Sequence, residues 1–197
     1  MQRVHRTVLA LAKLMAVLGG TVLTVLILII CISIVGRTAN SLLHSDLVMG
    51  LAPGLAQGLL DFGVGAIRGD FELVEAGMAF CIFAFLPFCQ VTSGHASVDI
   101  FTNFLPRPAN RLLIFLAEAL FAIALVVIAV QLEAGLARKM RSGETTLLLQ
   151  FPVWWSYSAS LVGAVAAAAG GVYMALVRGI ELVTGRVIVA NAVGADH

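Results

Sequence analysis

His95 and Asp99 lie four residues apart, a spacing that puts two side chains on one face of a helix. An imidazole and a carboxylate so placed can bind one metal ion, but zinc sites in proteins use three or four protein ligands. The cysteines Cys31, Cys81 and Cys89 lie inside apolar runs without a Cys-x-x-Cys motif, so they indicate neither a zinc site nor a disulfide framework. We therefore expect no metal and no cofactor, and interpret His95 as a hydrogen-bonding anchor.

The composition determines which elements carry these residues. The 197 residues are 60% hydrophobic and 12% charged, with a mean hydropathy of +1.02, whereas roughly a quarter of residues are charged in a soluble domain. We therefore predict an integral membrane protein. The net charge of +1 comes without a basic stripe, so no nucleic-acid partner is expected.

Four apolar runs are long enough to cross a bilayer, because about 20 helical residues cover a hydrocarbon core of roughly 30 Å. Pro152 is placed at the start of the last helix, since proline is favoured in a first helical turn. The first run exceeds the core of a signal peptide, which has about 7 to 15 residues, so we expect it to be retained. The prediction is an all-α fold in one membrane domain, 1–197, with transmembrane helices over about 14–36, 71–92, 111–133 and 152–177.

The segment 47–67 is apolar but contains Pro53 and several glycines. Gly50, Gly54 and Gly58 form a small-xxx-small ridge of the kind that packs closely on another helix. Because proline and glycine weaken a helix, we expect a re-entrant or interfacial segment. The alternative is a fifth crossing, which would exchange the sides of all later loops.

Basic residues near the helix ends predict the orientation, because cytoplasmic loops carry the excess of lysine and arginine. With four crossings, both termini are expected in the cytoplasm, His95 and Asp99 on the cytoplasmic surface, and Glu144 on the opposite one. The membrane side with both termini holds seven basic residues: Arg3, Arg6, Lys13, Arg107, Arg111, Arg178 and Arg186. The other side holds five: Arg37, Arg68, Arg138, Lys139 and Arg141.

Trp154, Trp155 and Tyr157 open the fourth span, at headgroup depth. Amphipathic rings are favoured there, because the ring contacts apolar groups while its N–H or O–H stays hydrated. We interpret them as interface markers and not as a stacking platform for a sugar or nucleotide.

Acidic residues in or near a span are candidates for function, because burying a charge in lipid is costly. Glu72 and Glu75 share a helical face at the outer end of the second span, next to Asp70, where a structural or subunit-contacting role is expected. Glu118 lies about 9 Å into the third span and needs a partner. The partner expected for Glu118 is Arg111 or Arg107, or a donor on another subunit.

The spans lack the residue pairs that intramembrane enzymes use. An aspartyl or metalloprotease needs two facing acids or a His-Glu-x-x-His pair, and a serine enzyme needs a serine and a histidine at depth. We therefore predict that the chain is not an enzyme.

The fourth helix carries a face of small residues, formed by Ala164, Ala168, Gly171 and Ala175. This face could hold a partner or pack within the subunit, and both alternatives stay open.

The order and spacing of several short motifs resemble a known family, the DctQ-like small membrane subunit of tripartite ATP-independent periplasmic (TRAP) transporters. The resemblance covers about residues 14–178. Two features depart from it: the long glycine-rich segment 47–69 and the sequence Leu86-Pro87-Phe88-Cys89 late in the second helix. The motifs are Glu72-Leu73-Val74-Glu75, Gly94-His95 with Val98-Asp99, Leu105-Pro106, Arg141 with Gly143-Glu144-Thr145, and Pro152 with Trp154, Trp155 and Tyr157.

The resemblance implies a scaffold subunit of the bacterial inner membrane. In that family the small subunit pairs with a large permease subunit, which carries the substrate and sodium sites and moves like an elevator, and works with a periplasmic substrate-binding protein. Transport is driven by sodium and typically imports organic acids. The candidate contact or structural residues are Glu72, Glu75, His95, Asp99, Glu118, Glu144, Pro152, Trp154 and Trp155.

Two other functions stay open at this point. One is a stand-alone ion or proton pathway through Glu118, although no second acid or histidine in a span could take the proton from it. The other is a membrane assembly scaffold unrelated to transport.

Overall fold

A computed structural model of the chain describes residues 2–45, 48, 50, 53–61, 63–92 and 107–184. This part of the chain folds into helices without a β-strand, and four of the helices are long and apolar enough to cross a membrane. The all-α prediction with four membrane helices is therefore confirmed. The helices are α1 (Gln2–Leu43), α2 (Pro53–Asp61), α3 (Asp70–Val91), α4 (Arg107–Ser142) and α5 (Trp154–Thr184).

Three of the membrane helices are longer than the predicted spans. α1 has 42 residues, α4 has 36 and α5 has 31, whereas about 20 residues suffice to cross the hydrocarbon. Their polar ends continue the helix, because side chains there reach headgroups or water while the backbone keeps its hydrogen bonds. α3, with 22 residues, coincides with the predicted span 71–92 to within one residue.

The bundle is built around α5, which packs on both α3 and α4, while α1 packs chiefly on α3. Half of the most apolar stretch of α5 is buried (50%), against 11% for each of α1 and α4. α1 and α4 therefore present most of their apolar surface to lipid or to a partner protein.

The small residues of α5 pack inside the subunit. A side-chain carbon added to Gly163 would lie 2.8 Å from the Phe83 Cβ, so this close approach of α5 to α3 requires glycine. Ala164 and Ala168 are buried in a cluster with Leu125 of α4. At Ala164 and Ala168, the alternative left open by the sequence is thus decided in favour of packing within the subunit.

The segment 47–67 contains α2, whose 9 residues span only about 13 Å and cannot cross the bilayer. This fits the expected interfacial or re-entrant segment and not a fifth crossing. Within the described residues, a side-chain carbon added to Gly50, Gly54 or Gly58 would meet no atom within 4 Å. The predicted glycine ridge is therefore not packed against the described part of the chain.

Residues 63–69, which we call the connector, join α2 to α3 and lie against α1. The Asn40 Nδ2 donates to the Val64 carbonyl oxygen at 3.0 Å, and the Ser33 Oγ accepts from the Ile67 N–H at 3.2 Å. Gly36 of α1 faces the backbone of Gly65 so closely that an added side-chain carbon would lie 2.8 Å from the Gly65 carbonyl carbon. Three contacts thus fix the connector on α1.

Candidate functional site

Asp70 joins α3 to α1 where the connector ends. Its buried carboxylate accepts a hydrogen bond from the Ser33 Oγ at 2.6 Å and pairs with Arg37 at 3.3 Å. Its other oxygen accepts the Phe71 N–H at 2.9 Å, and the Arg37 guanidinium lies 5.6 Å from the centre of the Phe71 ring. A carboxylate with three donors is already satisfied, so Asp70 holds two helices together. The sequence showed the acid but not Ser33 and Arg37 as its partners.

Residues 143–153, which we call the hairpin, join α4 to α5, and Glu72 holds their tip. One Glu72 carboxylate oxygen accepts the Leu148 N–H at 2.7 Å, and the other accepts the Leu149 N–H at 2.9 Å. The Leu149 side chain lies against Gly69 at the start of α3. The predicted structural or contact residue Glu72 therefore binds the backbone of its own chain. We call this side of the molecule the hairpin end.

The base of the hairpin is closed by backbone and ionic contacts. The Thr146 N–H donates to the Phe151 carbonyl oxygen, and the Val153 N–H donates to the Glu144 carbonyl oxygen, both at 3.0 Å. The Glu144 carboxylate pairs with the Lys139 ammonium of α4. This hydrogen-bonded pair holds the pKa of Glu144 below its ordinary value, because the lysine stabilises the charged carboxylate.

Pro152 does not open α5, contrary to expectation. It pairs with Thr145 in an isolated antiparallel bridge, and its carbonyl oxygen accepts the Trp155 N–H at 3.1 Å. The helix begins at Trp154 because Pro152 is used to close the hairpin. The Trp154 and Trp155 rings pack edge to face, with centroids 6.1 Å apart, next to this turn.

The hairpin tip presents an apolar surface. Leu147 is 87% exposed and Leu148 is 64% exposed. Their backbone is fixed by Glu72 while their side chains touch little of the described chain. An ordered apolar tip of this kind is suited to contact a partner or the lipid interface.

At the opposite end, polar side chains join α3 to α4, and a second pair lies within α5. The buried Gln90 of α3 donates from Nε2 to the Glu118 Oε2 of α4 at 2.7 Å. Sequence reasoning expected an arginine or another subunit to supply a partner and missed this amide. On α5, the buried pair Arg178 and Glu181 is 2.8 Å apart. The sequence gave no signal for this pair beyond the three-residue spacing.

The same end also fastens α1 to α5. His5 and the Tyr173 hydroxyl are 3.2 Å apart, and their rings are stacked with centroids 6.0 Å apart. The predicted anchors His95 and Asp99 lie outside the described residues. Within those residues no three histidine, cysteine or acidic side chains converge on a possible metal site.

The candidate residues therefore form two separate groups and not one site. Asp70, Glu72 and Glu144 lie at the hairpin end, and Glu118 lies with Gln90 towards the other end. Most of these carboxylates accept hydrogen bonds from neighbouring helices or loops. The arrangement fixes the relative positions of the helices and leaves no assembled catalytic constellation among these groups.

Comparison with known proteins identifies the family. A family model described as "Tripartite ATP-independent periplasmic transporters, DctQ component" matches residues 26–182. The match begins within α1 and includes α3, α4, the hairpin and nearly all of α5. No curated protein and no solved structure matches the chain.

Proposed function

The chain belongs to the DctQ component family of tripartite ATP-independent periplasmic transporters, and from this premise we propose that it is the scaffold subunit of a sodium-driven importer of organic acids. In this proposal it pairs with a large permease subunit and a periplasmic substrate-binding protein. It lies in the bacterial inner membrane with both termini in the cytoplasm, carries no catalytic residue and needs no cofactor.

One observation carries the scaffold role: five acidic side chains of the described bundle bind other groups of the chain near its two ends, namely Asp70, Glu72, Glu118, Glu144 and Glu181. A carrier that works alone normally has broken helices that expose backbone groups at the membrane midplane. Each of the four described membrane helices is instead continuous. The lightly buried faces of α1 and α4 leave room for a large membrane partner.

The proposed orientation puts the hairpin on the periplasmic side. There the exposed Leu147 and Leu148 would meet the large subunit or the docked binding protein. Glu72 and the Lys139–Glu144 pair would keep the tip in a fixed position, which lowers the entropy lost on contact. Replacing Leu147 by glutamate should weaken the assembly, whereas alanine at the same position should weaken it less.

Co-purification and uptake test the proposal together. A tagged chain should retain a large permease subunit in mild detergent, and deleting its gene should abolish sodium-dependent uptake of an organic acid in cells. The purified chain alone should not transport in liposomes. Uptake by the isolated chain, or normal uptake after deletion, would refute the scaffold role.

His95 and Asp99 are part of the same proposal, on the cytoplasmic side. We expect His95→Ala or Asp99→Ala to reduce the amount of assembled complex and leave the apparent affinity for the solute unchanged. The measurement is the yield of co-purified complex alongside the concentration dependence of uptake. A normal yield with a changed affinity would contradict a structural role.

A further inference from the structure

A groove of about 630 Å³ lies beneath the hairpin, between α3, α4 and α5. Its walls change in character along the helices. Near the hairpin it is lined by Glu72, Glu75, Lys139, Glu144 and Tyr157, and deeper by Ala76, Ala79, Phe83 and Leu132. Its volume lies in the range of small-molecule sites, which is roughly 300 to 1,000 Å³.

Ser160 and Glu75, like the Thr146 hydroxyl, line the groove without a hydrogen-bond partner in the described part of the chain. The Ser160 side chain is only 2% exposed, and its hydroxyl has no hydrogen-bond partner there. Buried hydroxyls are nearly always bonded, and an atom of a ligand in the groove would supply the partner that Ser160 lacks in the described chain. Glu75 lies on the same face as Glu72 but is exposed, and it makes no hydrogen bond or ion pair with the described residues.

The groove carries an excess of negative charge. Three carboxylates line it, from Glu72, Glu75 and Glu144, against one ammonium from Lys139. A ligand with a cationic group is therefore favoured near Glu75. Lys139, which already pairs with Glu144, is the one cationic side chain of this lining, so an anionic group on the same ligand is best placed beside it.

The depth of the groove matches one leaflet of the membrane. From Glu72 to Phe83, α3 advances eleven residues, or about 16 Å. Half of the hydrocarbon core is about 15 Å. The walls thus change from charged to apolar over the distance in which a phospholipid changes from headgroup to acyl chain.

We propose that this groove binds a phospholipid with a primary ammonium headgroup, such as phosphatidylethanolamine. The ammonium lies at Glu75, the phosphate lies near Lys139, and an acyl chain follows Ala76, Ala79 and Leu132. Ser160 bonds an oxygen of the lipid at the boundary between the two regions. The bound lipid would fill the space between α3, α4 and α5 beneath the hairpin.

Lipid retention by the full chain tests the site. The chain is purified in mild detergent, offered phosphatidylethanolamine or phosphatidylglycerol with the same acyl chains, and examined by native mass spectrometry. Glu75→Gln removes the carboxylate, and Ala79→Phe fills the apolar part of the groove. The matched controls are Glu133→Gln and Ala124→Phe, two exposed positions on α4 outside the groove.

The wild-type chain should retain one phosphatidylethanolamine in preference to phosphatidylglycerol. Because a hydrogen bond to a charged group is strong, Glu75→Gln should weaken retention roughly tenfold. Ala79→Phe should abolish it, and both controls should behave like the wild type. If Ala79→Phe disrupts folding, as judged by circular dichroism, Glu75→Gln decides the test, since Glu75 makes no contact that folding of the described chain needs.

Three results would overturn the lipid site. They are equal retention of the two lipids, retention unchanged by Glu75→Gln, and capture of protein instead of lipid by a photo-crosslinker placed at Ala79→Cys in native membranes. The last result would mean that a segment of a partner protein occupies the groove. None of these outcomes depends on the transporter role.

Discussion

Replacing Gly36 by alanine should destabilise the protein, although alanine is the better helix former. Gly36 lies in α1, against the backbone of Gly65 in the connector. An added methyl group would fall on the Gly65 carbonyl oxygen and lie 2.8 Å from its carbonyl carbon. Backbone atoms cannot rotate away as a flexible side chain can, so the connector must move off α1.

The expected loss follows from three contributions. Alanine in place of glycine favours the helix by about 1 kcal/mol. Overpacking typically costs about 1 to 3 kcal/mol. Moving the connector also weakens the Asn40–Val64 and Ser33–Ile67 hydrogen bonds, each with a net contribution of about 1 kcal/mol. The free energy of unfolding should therefore fall by about 2 kcal/mol.

Gly20→Ala is the matched control, because it lies on the same helix and its added carbon would meet nothing within 4 Å in the described structure. That variant should be more stable than the wild type by up to about 1 kcal/mol. Unfolding by SDS in mixed micelles, followed by circular dichroism, measures both variants. If Gly36→Ala proves as stable as Gly20→Ala, the connector does not pack on α1 as described.

Three further predictions concern the polar groups at the two ends. Glu72→Gln should speed hydrogen exchange of the Leu148 and Leu149 amides, which lose one charged acceptor, whereas Glu75→Gln should leave their exchange unchanged. The Lys139–Glu144 pair should stabilise the hairpin above about pH 4.5, the ordinary glutamate pKa. This contribution should be lost as the pH falls through the lowered pKa of Glu144. Tryptophan fluorescence should follow the loss in the wild type and should lose that pH dependence in Lys139→Met. Glu118→Leu should lower the free energy of unfolding by about 1 to 3 kcal/mol, because the buried Gln90 amide loses an acceptor, whereas Glu118→Gln should keep both stability and uptake. Loss of uptake in a stable Glu118→Gln variant would favour the ion-pathway alternative.

Features that depend on one continuous stretch of chain could be predicted from the sequence. The predicted span 71–92 matches α3 to within one residue, because continuous apolarity and length determine whether a helix can cross lipid. The prediction that Pro152 begins the last helix is wrong, because pairing with Thr145 overrides the local preference of proline for a first helical turn. Three of the predicted spans are also shorter than the observed helices, because polar helix ends carry no hydropathy signal.

The hydrogen-bond partners of the polar residues could not be predicted from local sequence patterns. Asp70 binds Ser33, 37 positions away, and Glu72 binds the Leu148 amide, 76 positions away. Neither partner is marked by residue type, because a serine hydroxyl and a backbone N–H occur throughout any chain. Their proximity follows from how α1, α3 and the hairpin pack.

The sequence by itself determined the membrane class, the number of crossings and the resemblance to the DctQ family, because each depends on the apolarity, length and order of local segments. Only the tertiary structure decided that the small face of α5 packs inward, that Glu72 holds the hairpin, and that charged and apolar walls meet in one groove. Those features arise from contacts between helices distant in sequence. Their energies depend on distances of a few ångströms that no local pattern encodes.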